Sequence, residues 1–216
     1  MTSPRDVDLV VFDFDGVLNR SYDAGGFLWA RNLERDLGFT STALDAVLFL
    51  NDFKSIVVGA RDLAAVLDEA LPTINARCTT AEFMDYWFRS DLIPCHELLG
   101  FIDRLRAAGI RCVLGTNNER HRAGYIWDTL LKTRMDALYS SGLMGVAKPD
   151  TCFFQRIQDE AGCAPGRILL IDDFAENVAA ARTLGWQAVQ YGNFAKGLLG
   201  QPGDLYALFP AHGPAG

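Results

Sequence analysis

Apolar and polar positions along the chain alternate between two patterns. Short runs apolar on both faces of a pleat, as in strands buried inside a parallel sheet, stand at Val7 to Phe12, at Ile110 to Leu114 (IRCVL), at Arg167 to Ile171 (RILLI), more weakly at Ala137 to Tyr139, and again at Gln187 to Tyr191. Between them the spacing becomes helical. Leu98, Phe101, Ile102 and Leu105 fall at i, i+3, i+4 and i+7, with Gly109 where a helix ends. Asp150 is placed to cap a helix carrying Phe153, Phe154 and Ile157, and Glu176 to Leu184 reads as another, stopped by Gly185. Strand and helix in alternation predict βαβ units: an α/β fold with a mainly parallel, Rossmann-like sheet and helices on both faces.

The alternation fails between the first strand and the helix at 96–108, across about eighty residues, too many for a plain loop. Trp29, Leu33 and Leu37 are spaced by four and end at Gly38. Leu63, Val66, Leu67 and Leu71 make a face that stops at Pro72, and Thr79-x-x-Glu82 is a capping box ahead of Phe83, Tyr86 and Trp87. The expectation is a small helical domain over residues 19–93, inserted into a core formed by residues 1–18 and 94–200. Residues 201–216, rich in Gly and Pro, read as a loose tail.

Composition narrows the classes of function. A net charge of −7 and a pI near 4.9 give no basic surface for nucleic acid or anionic lipid, though a local positive focus for a small anion remains open. The first residues carry charge rather than the apolar core of a signal peptide, and no apolar stretch approaches a membrane span, so a cytoplasmic location is expected. Five cysteines without a C-x-x-C pair read as reduced thiols, mostly small core residues.

The chemistry sits where the strands stop. VFDFDG sets Asp13 and Asp15 at the end of the first run, Thr116-Asn117-Asn118 follows the second, and Asp172-Asp173 follows RILLI. Ligands of parallel sheets bind beyond the carboxyl ends of the strands, so these clusters should converge on one crevice. Each has a plainer reading. Asp-x-Asp-Gly opens calcium loops, but those continue with alternate oxygen ligands, and Val17 and Leu18 follow here. Thr116 to Asn118 is also an ordinary turn, Lys148 a solvated loop lysine and Asp172-Asp173 a helix-capping pair. His96 and His121 stand at helix starts and His212 in the tail, positions of surface residues; Trp29, Tyr86 and Trp87 have core spacing, with one of them available to line a pocket.

Taken together, DFDGVL (Asp13 to Leu18), Thr116-Asn117-Asn118, Lys148-Pro149-Asp150 and Asp172-Asp173 with Asn177 resemble the four ordered motifs of the haloacid dehalogenase (HAD) superfamily, with the helical insertion where its type I cap lies. GVAKPD (Gly145 to Asp150) and IDDFAENVAAARTLGW (Ile171 to Trp186) are most similar to the subfamily IA branch of glucose-1-phosphatase-like enzymes and epoxide-hydrolase N-terminal phosphatases. The resemblance implies that Asp13 is a nucleophile forming an aspartyl-phosphate, and Asp15 a general acid, then base for the hydrolytic water. Lys148 supplies charge to the phosphoryl oxygens, and Thr116 and Asn117 supply donors. So many carboxylates at one spot need a hard divalent cation, and Mg²⁺ is expected. The resemblance assigns it Asp13, the Asp15 backbone carbonyl and the Asp172/Asp173 pair, with Asp173 favoured for direct contact.

Dehalogenases of the family lack an aspartate two residues after the nucleophile, which makes that reaction the least favoured. A phosphatase acting on a small phosphorylated, sugar-phosphate-like metabolite is expected, from a monomer or homodimer with no nucleic-acid or membrane partner. Phosphomutases share the same core residues, and a non-catalytic binding protein on this scaffold is the reading from another class. Specificity belongs to the cap, where Arg20, with Asn19, Lys54 and Arg61, is a candidate substrate contact.

Overall fold

The computed structural model describes residues 7–51, 53–193 and 196–209. Its element order is β1 (Leu9–Phe12), β2 (Tyr22–Asp23), β3 (Gly26–Phe27), α1 (Leu33–Leu37), α2 (Ser41–Leu44), α3 (Phe53–Val57), α4 (Leu63–Ala70), α5 (Thr80–Ser90) and α6 (His96–Ala107). Then come β4 (Arg111–Thr116), α7 (Arg120–Ile126), β5 (Ala137–Ser140), α8 (Ser141–Met144), α9 (Thr151–Ala161), β6 (Ile168–Asp172), α10 (Ala175–Thr183), β7 (Gln187–Gln190) and α11 (Pro202–Tyr206).

The five predicted strands form one parallel sheet in the order β5-β4-β1-β6-β7. Strand β1 lies at its centre, and the chain winds outward from it on both sides, so the crevice opens at the carboxyl ends of β1, β4 and β6. The pleat divides the β1 side chains between two cores. Val10 and Phe12 pack with Leu98, Phe101 and Leu105 of α6, while Leu9 and Val11 pack with Phe153, Ile157 and Val178 of α9 and α10.

Residues between β1 and α6 pack a third apolar cluster around Trp29, Leu33, Leu67, Phe83 and Trp87. The capping box at Thr79 is present: its Oγ1 accepts the Glu82 N–H at 3.3 Å and its own N–H donates to Glu82 at 2.8 Å. The short antiparallel pair β2–β3, by contrast, has too few residues to show a period-2 pattern in the sequence. The two links between insertion and core are paired by backbone hydrogen bonds, Arg20 N–H to Ile93 O and Cys95 N–H to Leu18 O, both 2.8 Å.

The tail reading is corrected as far as residue 209. Pro202 starts α11, and Leu205, Leu208 and Phe209 are buried against α6, with Phe209 and Tyr206 both edge-on to Phe101. Two glycines and a proline hid a short helix whose apolar face completes the first core. Residues 210–216, with His212, and residues 1–6 lie outside the described residues.

Candidate active site

Asp13 follows β1 directly, and its N–H continues the ladder to Ile171 O at 2.9 Å, so the carboxylate is aimed by the most buried strand. From β6 come Asp172 and Asp173, both buried; one carboxylate oxygen each of Asp13, Asp172 and Asp173 lie within 4.8 Å of one another. Lys148 enters from the loop before α9, its side chain 1% exposed, with Nζ 3.0 Å from Asp13 Oδ1 and 2.6 Å from Asp172 Oδ2. Burial alone would lower the lysine's pKa; the charges of Asp13 and Asp172 outweigh it and hold the ammonium charged. Burial, with the neighbouring carboxylates, pushes Asp13 well above the ordinary carboxyl range despite Lys148, and burial raises Asp173 to about 7.

With all three carboxyls ionised, one ammonium would leave two negative charges uncompensated in a buried site, which is why the pKa values of Asp13 and Asp173 rise here and is the charge that one divalent cation would balance. The donor set fits Mg²⁺, which takes oxygen ligands. It also separates the last pair. Asp172 Oδ2 is taken by Lys148, and Oδ1 by the Phe174 N–H and the Asn177 amide, each at 2.9 Å. Asp173 Oδ2 accepts from the Tyr22 hydroxyl at 2.8 Å, while the buried Oδ1 has no partner among the described residues. Asp173 therefore has an oxygen free for a metal. Gly16, at φ +80°, has no room for a side chain: a Cβ there would lie 2.0 Å from Asp173 Oδ2 and 2.7 Å from the Tyr22 hydroxyl.

Thr116 closes β4 and is buried. The Asn117 side chain clamps the lysine loop, donating to Lys148 O at 2.8 Å and accepting the Lys148 N–H at 2.9 Å. A crevice of about 460 Å³ is lined by Asp13, Asp15, Thr116, Asn117, Lys148 and Phe27, so the core residues expected from the sequence converge.

Asp15 differs from expectation. Arg122 grips its carboxylate with both ends of the guanidinium, at 2.6 and 2.7 Å; Asn19 adds a bond at 3.0 Å and Asn118 one at 3.3 Å. Burial works to raise the Asp15 pKa, and the Arg122 charge together with the hydrogen bonds from Arg122, Asn19 and Asn118 more than offsets it, so the carboxyl lies below its ordinary value. The bidentate contact with Arg122 favours the carboxylate, whereas the general-acid role calls for the protonated carboxyl. Arg122 also donates to Asp91 and to the Asn118 side-chain oxygen Oδ1. Asp91 lies just after α5 and is pushed up to about 7 by burial first and by the nearby Asp15 charge, against the lowering pull of Arg122.

Arg20 is a correction. Its guanidinium donates to Gly200 O at 2.8 Å, fastening the segment before α11, and it lines neither the crevice nor the cavity beyond Asp15. Asn19 is fully buried and structural: its amide donates to Asp15, Ser21 and Asp91 O, and accepts the Ile93 N–H. Lys54 is exposed, and Arg61 is exposed beside Glu69. The residues not foreseen are Arg122, Asp91 and Tyr22, while Asn118 is expected as part of the Thr116-Asn117-Asn118 motif but without a role of its own. For Arg122 the only sequence signal was its position in the first turn of the helix that follows Thr116-Asn117-Asn118.

The sequence profile of the haloacid dehalogenase-like hydrolases matches residues 7–185. Among curated proteins, the sesquiterpene phosphatase astK of Aspergillus oryzae is 25% identical over 100 residues, covering 44% of this chain and 48% of its own. Acyl-CoA dehydrogenase family member 10 of Mus musculus is 28% identical over 89 residues, 41% of this chain and 8% of its own. The matched regions thus span less than half the length of each relative. Among solved structures, a HAD family enzyme from Bacteroides thetaiotaomicron in complex with magnesium and inorganic phosphate superposes with a TM-score of 0.73 at 20% identity, over 86% of this chain and 94% of its own. A predicted HAD-like family hydrolase from Porphyromonas gingivalis gives a TM-score of 0.68 at 24% identity, over 86% and 91%.

Proposed function

The chain belongs to the haloacid dehalogenase-like hydrolases, and we propose that within them it is a Mg²⁺-dependent phosphatase of a small phosphorylated metabolite. The observation that carries this is the charge balance at the strand ends: three buried carboxylates, one ammonium between two of them, and one free oxygen on Asp173. A phosphate in the crevice would meet Lys148 and the Thr116 hydroxyl. The magnesium and phosphate in the Bacteroides relative and the phosphatase name of the Aspergillus relative support the reading. The sugar-phosphate expectation rests on the sequence resemblance alone.

In this mechanism Asp13 attacks phosphorus, the ester P–O bond breaks, and an aspartyl-phosphate is formed and then hydrolysed. Asp13, Asp173 and the Asp15 backbone carbonyl would hold Mg²⁺, which when bound would supply positive charge to offset that of the phosphoryl oxygens. Lys148 keeps Asp13 oriented and gives further charge to the same oxygens. As a carboxylate, Asp15 is ready to accept the proton of the hydrolytic water; protonating the leaving oxygen in the first step requires it to separate from Arg122 and take up a proton.

The test is turnover of p-nitrophenyl phosphate and a panel of phosphorylated metabolites by purified protein, with Mg²⁺ titrated against a chelator. Turnover that vanishes with chelation and returns with Mg²⁺ is expected; turnover indifferent to metal would overturn the proposal.

A further inference from the structure

Beyond Asp15 a second cavity of about 200 Å³ opens, sharing Asp15, Phe27 and Asn117 with the phosphate crevice. Its far side is formed by Trp29, Phe49, Phe53, Val57 and Trp87 of the insertion. The rings brace one another. Trp29 and Trp87 stack at 5.0 Å, and Phe49 stands edge-on to Phe53 at 4.7 Å and to Trp87 at 5.6 Å.

The polar residues on its core side are already engaged. Both ends of the Asn117 amide bind the Lys148 backbone, and Asn118 binds Thr116, Asp15 and Arg122. Glu119 accepts the first N–H groups of α7, and Arg122 is held by Asp15 and Asp91. Among the described lining residues, the one buried side-chain polar atom without a partner is the Trp87 indole nitrogen. A hydroxyl-rich group entering here would give up water and find few partners, which is unfavourable; an apolar group would not.

We propose that the phosphate ester hydrolysed at this site carries an apolar group, a single ring or a short alkyl chain, that lodges in this aromatic cavity. The proposal rests on the phosphatase reading and names its substrate class. Asp15 lies at the junction of the two cavities, so the ester oxygen sits there, with phosphorus toward Asp13 and carbon toward Trp29 and Trp87. Size sets the limit: an engineered apolar cavity of ~150 Å³ admits benzene, so 200 Å³ holds one ring with a few further carbons.

The test is kcat/KM for primary alkyl phosphates from methyl to decyl, whose leaving groups have similar acidity, alongside glycerol phosphate and glucose 6-phosphate. Values should rise about three- to fourfold per methylene, level off once the cavity is full, and favour hexyl phosphate over glucose 6-phosphate by at least about a hundredfold. Phe53→Ser should flatten the slope, and Val57→Phe should move the plateau to shorter chains. A flat series, or a preference for the sugar phosphate, overturns this proposal and leaves the phosphatase reading standing. Absence of turnover of every ester overturns the phosphatase reading. Tryptophan fluorescence then still decides the cavity: tighter binding of hexyl phosphate than of glucose 6-phosphate supports the apolar site, and equal binding refutes it.

Discussion

Replacing Arg122 with methionine isolates the element least visible in the sequence. The guanidinium is 8% exposed and is the shared partner of two carboxylates, Asp15 at 27% and Asp91 at 3%. One Asp91 oxygen already lacks a hydrogen-bond partner among the described residues. Removing one member of a buried ion pair typically costs about 3–5 kcal/mol, because the remaining charge is stranded. For a chain of this size that is a fall of about 6–20 °C in Tm. The assay is urea or thermal unfolding of Arg122→Met at pH 7 and at pH 5. The sign follows from linkage: without the arginine both carboxyls rise above their unfolded values. The stability gained by protonating them is therefore present at low pH and lost as pH rises, so the deficit should shrink at pH 5. Asp15→Asn with Asp91→Asn in the same background should restore most of the loss. A deficit below about 1 kcal/mol, typical of an exposed pair, or one independent of pH, would refute the reasoning.

Other substitutions follow from the same geometry. Gly16→Ala places a methyl 2.0 Å from Asp173 Oδ2 at a left-handed φ; it should cost about 1–3 kcal/mol and weaken Mg²⁺ binding, read by calorimetry. Asp91, raised to about 7, takes stability away as pH rises from about 4, its unfolded pKa, to 7, so Asp91→Asn should flatten the stability–pH curve over that window. Phe209→Ala should cost about 3 kcal/mol in denaturant unfolding, a loss that a loose tail would not produce.

The sheet and the convergence of Asp13, Thr116, Lys148 and Asp172/Asp173 were legible because a parallel sheet sends the residue after each buried strand to one edge, and the apolar runs marked where strands end. The insertion was legible as helices because Thr79 and Glu82 form a cap and Leu63, Val66 and Leu67 share a face. What was hidden depends on contacts far apart in the chain. Arg122 meets Asp15 across 107 residues and Asp91 across 31, and no local pattern separates a buried arginine in a first helical turn from a solvated one. Arg20 was misread for the converse reason: it leaves the active-site strand, yet the link turns it toward Gly200. The tail was misread because glycine and proline at 202–203 also suit a helix start.

The central claim, that Asp13 is the nucleophile of a metal-assisted phosphoryl transfer, is tested most directly by acid-quenching the enzyme during turnover with Mg²⁺ and reducing it with borohydride. An aspartyl-phosphate becomes homoserine at position 13, read by peptide mass, and Asp13→Asn should lose at least about a thousandfold in rate. Homoserine at position 13 in the wild-type peptide, together with that loss, is the predicted result. Turnover in Asp13→Asn within tenfold of wild type, with position 13 unmodified, would contradict it.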